Sequence, residues 1–281
     1  MLYTWKSMQG TDFGAQTWLV DDWIPAGGVV LIWGKESVGK TPVCWHLARS
    51  VGAGEPFFGW QTRQARALFI ELDMPDYFTK ERTKDLPFPD SVGFELVGHP
   101  IEDFREEALR EVLAGGIEFA PEVVFIDSLR KFHPLDDKAS ETPSKVYGMY
   151  ARLFPGAALV FIHHERKGGG DDDTRPDEES YSGSRAWSNN CQVGFRVSED
   201  TRQRFPVLVK NTRHQFMEKG WSQRFHLDHG WLLTADNDLK VVEALMESTG
   251  QTGGDVLVKA IMEKLGCSRM TAYRKIKAVT R

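Results

Sequence analysis

Val29–Thr41, V-V-L-I-W-G-K-E-S-V-G-K-T, joins an apolar run typical of a buried strand to a loop bounded by glycines. From Gly34 onward the loop fits G-x-x-x-x-G-K-[ST], a motif that binds phosphate groups. Its glycines let the backbone approach a ligand closely, so that amides of the loop and of the next helix face phosphate oxygens. Lys40 would reach the β- and γ-phosphates of ATP, and the Thr41 hydroxyl would bind Mg²⁺. The residues predicted to contact the nucleotide are Gly34, Ser37, Val38, Gly39, Lys40 and Thr41.

Around this loop, strand-like apolar runs alternate with helical patterns. Strands are predicted at 29–33, 67–72, 94–97, 123–126 and 157–162, and helices at 43–51, 76–82 and 101–113. Short uninterrupted apolar strands that alternate with helices indicate an α/β fold with a parallel sheet covered on both faces. Further β-rich segments at 192–197, 205–210 and 221–227 are predicted to extend this sheet as antiparallel strands.

Chemically active side chains follow several of the predicted strands. The run V-V-F-I-D ends in Asp127, a carboxylate expected to bind the same Mg²⁺ as Thr41. In parallel sheets, ligands bind at the carboxyl ends of the strands. We therefore expect Lys40, Asp73, Asp127 and His164 to meet at one edge of the sheet.

The composition is that of a globular protein without a membrane partner. Of 281 residues, 41% are hydrophobic and 27% are charged, and no apolar run approaches membrane-spanning length. The N-terminal residues lack the continuous apolar stretch of a signal peptide, so a cytoplasmic location is expected. Cys44, Cys191 and Cys267 are odd in number and lack C-x-x-C spacing, which indicates neither a disulfide framework nor a zinc site. The net charge of −5 requires any contact with nucleic acid to be local.

Several short segments resemble those of the DnaB-type replicative helicases and the related plasmid RepA helicases. L-D-M-P at 72–75 is similar to L-E-M-P of the first group, with Arg82 at a matching distance. H-H-E-R-K at 163–167 and S-G-S-R-A at 182–186 are similar to H-H-x-x-K and G-S-x-A of the second group. W-L-V-D-D-W-I-P-A-G-G at 18–28 resembles their approach to the phosphate loop. The resemblance covers about residues 16–230 and implies a RecA-like P-loop ATPase, with a mainly parallel sheet flanked by helices.

The resemblance implies roles for two residues at the reacting phosphate. Asp73 takes the position of the glutamate that polarises the attacking water, although its side chain is one methylene shorter. Glu71 lies on the same face of an alternating strand and is an alternative base, with a solvated strand-end charge as the favoured interpretation. His164 takes the sensor position that responds to the γ-phosphate. The alternatives for His164 are a capped structural histidine and a metal cluster with His163 and Glu165, which alternation along a strand disfavours.

Lys210 and Arg213 follow a predicted strand, as the lysine and the arginine finger do in the resembling family. There the two residues reach the ATP of the neighbouring subunit and stabilise charge on the transferred phosphoryl group. The family commonly has K-x-R, whereas this chain has two intervening residues, and a plain surface pair is the alternative. As a finger pair, they imply a homo-oligomer, namely a hexameric ring.

Two segments are candidates for contact with single-stranded DNA at the ATPase core. The segment 166–184 corresponds to a DNA-contacting loop of RecA-like proteins and contains Arg166 and Lys167, but its acidic residues would repel phosphates. The segment 130–133 combines basic residues with Phe132, on which a base could stack.

The C-terminal residues 236–281 are predicted to form a separate helix-turn-helix after an ATPase domain at 1–235. Helices are expected at 239–247, 256–265 and 269–279, and the stretch 264–281 carries six basic residues and no acidic one. The predicted contacts with duplex DNA are Arg269, Thr271, Tyr273, Arg274 and Lys277. The alternative is a helical hairpin with a solvated basic face, or one that docks on a neighbouring subunit.

Three functions remain open from the sequence. The first is an ATP-dependent DNA helicase in the replication of a plasmid, phage or other mobile element. The second is a RecA-like recombination or strand-annealing ATPase, and the third is an ATP-gated DNA-binding regulator with little turnover.

Overall fold

The computed structural model describes residues 2–12, 16–165, 186–199, 206–216, 222–227, 233–235, 237–265, 269 and 276. Its strands are β1 Trp18–Val20, β2 Ile24–Pro25, β3 Val29–Gly34, β4 Ala67–Glu71, β5 Val92–Leu96, β6 Val123–Asp127, β7 Ala158–His164, β8 Val193–Glu199, β9 Pro206–His214, β10 Ser222–Leu227 and β11 Leu233–Ala235. Its helices are α1 Trp5–Gln9, α2 Lys40–Ala53, α3 Asp76–Thr83, α4 Glu106–Val112, α5 Ala114–Glu118, α6 Thr142–Leu153, α7 Ala186–Asn189, α8 Asn237–Thr249 and α9 Asp255–Leu265.

One mixed sheet organises the described part of the chain. Nine strands pair in the order β11-β10-β9-β8-β3-β7-β6-β4-β5, and β1 and β2 form a separate antiparallel pair. The strands from β8 to β5 in this order run parallel, and β9, β10 and β11 continue antiparallel. The predicted α/β fold with a mainly parallel sheet flanked by helices is therefore confirmed. The expectation for the segment 192–197 was wrong in direction, because β8 is parallel to β3.

Both faces of the sheet are buried, which explains why its central strands are uninterruptedly apolar. In β3, Val30 and Ile32 belong to a core shared with α2, whereas Leu31 and Trp33 belong to a core shared with α6. All four side chains are fully buried. A strand with two covered faces has no position at which a polar side chain reaches water, so alternation disappears.

The predicted helix at 101–113 begins later than expected. Asp103 accepts a hydrogen bond from the backbone N–H of Arg105 at 3.0 Å, and Arg105 has extended backbone angles. A carboxylate that binds a backbone amide two residues later competes with the helix for that amide. Helix α4 therefore begins at Glu106, and Leu113 separates it from α5.

Two helices near the C-terminus share a small apolar core of their own. Val242 of α8 packs with Leu257, Val258 and Ile261 of α9, and Ile276 joins them. The turn predicted at 266–268 and most of the third helix lie outside the described residues. The helix-turn-helix and the domain division at residue 235 therefore stay predictions.

No helix in the described ranges has both the length and the apolar character needed to cross a bilayer. Cys44 and Cys191 are buried free thiols, and Cys267 lies outside those ranges.

Candidate active site

The phosphate loop leaves β3 at Gly34 and ends where α2 begins at Lys40. A Cβ atom at Gly34 would lie 2.1 Å from the backbone oxygen of Val197 on β8, so only glycine allows this pairing. Ser37 and Gly39 adopt positive φ angles of 61° and 95°, which turn the loop onto the N-terminus of α2. Gly34 thus has a packing role between neighbouring strands as well as the predicted role beside a ligand.

Lys40 is buried at the centre of the loop. Its ammonium group donates to the carbonyl oxygens of Gly34 and Lys35 at 3.1 and 2.6 Å. Burial lowers the pKa of Lys40, while the nearby carboxylate of Asp127 opposes this shift. The loop thus holds a cation directly beneath the amides expected to bind phosphate.

The Thr41 hydroxyl donates to Oδ2 of Asp127 at 2.5 Å. Burial raises the pKa of Asp127 to about 6, although the hydrogen bond from Thr41 lowers it. A hydroxyl and a carboxylate supply the oxygen ligands that Mg²⁺ prefers, and Mg²⁺ usually keeps water and phosphate oxygens as its other ligands. The donor set therefore fits Mg²⁺, and elsewhere in the described ranges no cluster of three or more His, Cys, Asp or Glu side chains offers a site for a metal.

The two candidate bases near the end of β4 have different surroundings. The Glu71 side chain is buried, and its Oε1 accepts hydrogen bonds from the backbone N–H groups of Asp73 and Met74 at 2.6 and 3.1 Å. Burial and the neighbouring Asp127 raise the pKa of Glu71 to about 9. The favoured interpretation of Glu71 as a solvated charge was therefore wrong. Glu71 instead supports the backbone that carries Asp73, a role that no local pattern indicated.

Asp73 faces the cavity above the phosphate loop. Its side chain is 39% exposed, and Oδ1 lies 2.8 Å from the ammonium group of Lys131. The cavity has a volume of about 270 Å³. It is lined by Glu36, Ser37, Gly39, Lys40, Thr41, Pro42, Asp73, Met74, Arg82, Asp127 and His164. The structure thus brings together the four side chains expected to meet at the carboxyl edge of the sheet.

The three residues of the H-H-E segment lie in three different environments. His164 lines the cavity, and burial together with Lys40 lowers its pKa, which favours the neutral imidazole. His163 is buried beside Trp187, with ring centroids 5.7 Å apart. Glu165 forms a 2.6 Å ion pair with Arg196 of β8. These separate environments leave His164 alone of the three at the cavity and agree with the rejection of a metal cluster.

A family model described as an AAA domain (AAA_25) matches residues 7–170. The chain belongs to this AAA-domain family. The match spans the phosphate loop, Asp73, Asp127 and His164, so the protein is a P-loop ATPase. The family implies nucleotide binding and, with it, a requirement for Mg²⁺ at the Thr41–Asp127 pair.

Solved structures show the same fold in this AAA-domain ATPase. The flagellar accessory protein FlaH from Methanocaldococcus jannaschii matches with a TM-score of 0.54 and 13% identity, over 76% of this chain and 91% of that chain. The ATPase domain of a helicase matches with a TM-score of 0.57 and 11% identity, over 82% of this chain and 95% of that chain. At these identities the likeness shows the RecA-like fold alone. Comparison with curated protein sequences gives no significant match.

In the AAA-domain ATPase, the extra residue between Lys210 and Arg213 lies in a β-bulge. Lys210 pairs with Arg196 of β8 and Arg213 pairs with Gly194, and the register shifts next to Gly194. Positions 210 and 213 therefore oppose two β8 residues that are themselves two apart, which is the backbone register that K-x-R would have. The Arg213 guanidinium donates to the carbonyl oxygens of Cys191 and Asn189 at 2.7 and 3.2 Å. Within this subunit Arg213 lies away from the cavity, and its finger role stays a prediction.

One predicted DNA contact of the AAA-domain ATPase is contradicted by burial. Phe132 is fully buried and packs edge-to-face on Tyr150, with ring centroids 5.9 Å apart. His133 is also buried, and burial lowers its pKa to about 4. Neither ring can stack on a base, because the chain turns inward after Lys131 to complete the core beside α6.

The remaining predicted DNA contacts are largely outside the described residues. This applies to Arg166, Lys167, Thr271, Tyr273, Arg274 and Lys277. Arg269 is described, and its guanidinium lies 2.6 Å from Asp255 at the start of α9. Both partners are largely exposed, so the ion pair leaves Arg269 within reach of solvent.

The raised pKa of Glu71 predicts a dependence of stability on pH. Between its ordinary value of 4.5 and about 9, the folded protein keeps a proton on Glu71 that the unfolded chain has released. The free energy of unfolding therefore falls as pH rises, by roughly 1.4 kcal/mol per unit at most. Glu71→Gln, measured by urea unfolding, is expected to lose about 2 kcal/mol less than wild type between about pH 7 and about pH 8.5.

A matched control for this measurement is Glu81→Gln, which alters an exposed glutamate of α3. That variant is expected to keep the wild-type slope of stability against pH. Parallel slopes for wild type and Glu71→Gln would show that Glu71 is ionised in the folded protein.

Proposed function

We propose that this ATPase is an ATP-dependent DNA helicase of the DnaB and RepA type, which forms a homo-oligomeric ring. Its proposed role is in the replication of a plasmid, phage or other mobile element. The observation that carries the proposal is the placement of Asp73 of the L-D-M-P segment over the cavity that also contains Lys40, Thr41 and Asp127. This is the position at which a general base would meet a water in line with the γ-phosphate.

The proposed hydrolysis divides the work among cavity residues. Bound Mg²⁺ would neutralise charge on the β- and γ-phosphates, and Thr41 and Asp127 would hold it. Lys40 would leave its loop carbonyls for the phosphates, and Asp73 would accept a proton from the attacking water. His164, as a neutral imidazole, would hydrogen-bond to the γ-phosphate and signal its presence along β7.

Support for a ring comes from the β8–β9 bulge. The bulge gives Lys210 and Arg213 the backbone register of the finger pair in the resembling helicases, despite the extra residue. In the proposed ring, Arg213 would exchange its contacts with Cys191 and Asn189 for the phosphates bound by the neighbouring subunit. Single-stranded DNA would contact the core through Arg166 and Lys167, and duplex DNA would contact the C-terminal helices.

A second candidate is the ATP-gated DNA-binding regulator. It is favoured by the two hydrogen bonds that hold Arg213 on carbonyl groups of its own subunit. A subunit that keeps those bonds has no finger to offer a neighbour, and its turnover would be low.

The deciding experiment is ATP hydrolysis by the purified chain with and without single-stranded DNA. Lys40→Ala is the inactive reference, and Lys35→Ala is the matched control, because Lys35 is an exposed lysine of the same loop. We expect DNA to stimulate turnover several-fold in wild type and in Lys35→Ala. Displacement of a strand from a forked duplex is the second expected result.

The other outcomes separate the alternatives. Stimulation by DNA without strand displacement would favour the recombination or annealing ATPase. Nucleotide binding without turnover under either condition would favour the regulator. A chain that stays monomeric with ATP and DNA, measured by light scattering, would contradict the ring.

A further inference from the structure

Pro42 occupies an unusual position in the phosphate site. Helix α2 begins at Lys40 with Gly39 as its N-cap, and the first helical hydrogen bond runs from the Val43 amide to the Gly39 carbonyl at 3.2 Å. The amides that precede Val43 therefore have no acceptor within the helix and are available to a ligand. At residue 42 this amide is missing, because proline has no N–H.

The missing donor faces the nucleotide cavity. Pro42 is buried and lines the cavity together with Lys40 and Thr41. In a phosphate loop, the backbone amides cradle the α- and β-phosphates, whereas the lysine and Mg²⁺ act on the β- and γ-phosphates. Residue 42 lies beyond Thr41 along the chain, away from the Asp73 and His164 end of the site. The loss of its amide therefore falls on the α-phosphate.

We propose that Pro42 deprives the α-phosphate of its main-chain donor, so that this site binds a nucleotide chiefly through its β- and γ-phosphates. ADP offers only one of these two phosphates, and it is therefore held weakly and released readily after hydrolysis. The proposal takes ATP as the ligand from the proposed function but requires neither helicase activity nor a ring.

A purely structural role for Pro42 makes a different prediction. Proline is favoured in the first turn of a helix, where its fixed φ angle suits the helical backbone. If Pro42 served only to start α2, its replacement by alanine would change stability and leave nucleotide affinity unchanged.

The test measures ADP affinity by calorimetry for wild type and Pro42→Ala without Mg²⁺. A hydrogen bond to a charged group contributes enough to expect about ten-fold tighter binding of ADP by Pro42→Ala. Pro143→Ala is the matched control, because Pro143 is also buried in the first turn of a helix but lies outside the cavity. Its ADP affinity is expected to equal that of wild type.

Thiophosphate analogues locate the new contact. Sulfur is a poorer hydrogen-bond acceptor than oxygen, so at least one diastereomer of ADPαS is expected to lose most of the ten-fold gain. ADPβS is expected to keep the gain, because the β-phosphate has the same donors in both proteins. Omission of Mg²⁺ removes the weak affinity of this ion for sulfur from the comparison.

Two results would overturn the inference. One is an ADP affinity of Pro42→Ala within about two-fold of wild type, which is smaller than a charged hydrogen bond provides. The other is an undiminished gain for both ADPαS diastereomers. Failure of the proposed function is recognised separately, because wild type would then neither bind nor hydrolyse ATP, whatever residue stands at position 42.

Discussion

Asp73→Asn is expected to lower the rate of ATP hydrolysis by about 100-fold or more, the usual contribution of a positioned general base. Asparagine has nearly the same shape but cannot accept a proton from water at neutral pH. Because Asp73 is partly exposed and lies outside the hydrophobic core, the fold and the affinity for ATP are expected to change little. The measurement is single-turnover hydrolysis, which separates chemistry from nucleotide binding.

The ion pair of Asp73 with Lys131 sharpens this prediction. Lys131 lies 2.8 Å from the carboxylate and also reaches the carbonyl oxygens of Leu72 and Asp73. The cation fixes the direction of the short aspartate side chain, although it also makes the carboxylate a weaker base. Turnover that rises after Lys131→Ala would therefore mean that the second effect dominates.

Two companion variants control for structural effects at Asp73. Asp76→Asn changes an exposed aspartate at the start of α3 and is expected to hydrolyse ATP at the wild-type rate. Asp73→Glu restores the side chain found in the resembling helicases and is expected to retain or raise turnover. A wild-type rate in Asp73→Asn would remove Asp73 from the role of base. Because Glu71 is buried on two backbone amides, a water-mediated route would then be the remaining choice.

Asp127→Asn is expected to lower Mg²⁺-dependent hydrolysis by about 100-fold, because a metal ion contributes several kcal/mol to the stabilisation of transferred phosphate. The asparagine oxygen can still accept the hydrogen bond from Thr41, but the charge that attracts the cation is lost. The measurement is the hydrolysis rate as a function of Mg²⁺ concentration, for which a higher requirement for the ion is also expected.

The stability of this variant separates a functional role from a structural one. Asp127 is a buried carboxylate whose pKa is raised by desolvation, so its charge opposes folding at neutral pH. Asp127→Asn is therefore expected to unfold at the same or a higher urea concentration than wild type. A variant that is both inactive and strongly destabilised would show that Asp127 mainly holds the fold. Asp136→Asn, an exposed position, is the control for substitution alone.

Local sequence predicted the parts of the site that depend on neighbouring residues along the chain. The phosphate loop and the strand that ends in Asp127 are short motifs whose residue types are required by their own backbone geometry. Uninterrupted apolar strands correctly predicted a sheet with both faces covered. These features could be predicted because strand burial and loop conformation act over a few consecutive residues.

The sequence alone left the choice between Glu71 and Asp73 open, because the two-residue period of a strand places both on one face. The choice depends on β6, which pairs Glu71 with Asp127, and on the turn that brings two amides onto the Glu71 carboxylate. The parallel direction of β8 and the bulge next to Gly194 likewise depend on the partner strand. The burial of Phe132 depends on Tyr150 of α6.

For this protein, the sequence by itself determined the phosphate loop, the pair of residues proposed to bind Mg²⁺ and the α/β class, because each follows from local geometry and periodicity. The tertiary structure alone decided which carboxylate faces the cavity, which aromatic residues are buried, and how the extra residue before Arg213 is absorbed. Those outcomes depend on contacts between segments that are far apart in the chain, and burial, pairing register and pKa arise only when such segments pack together.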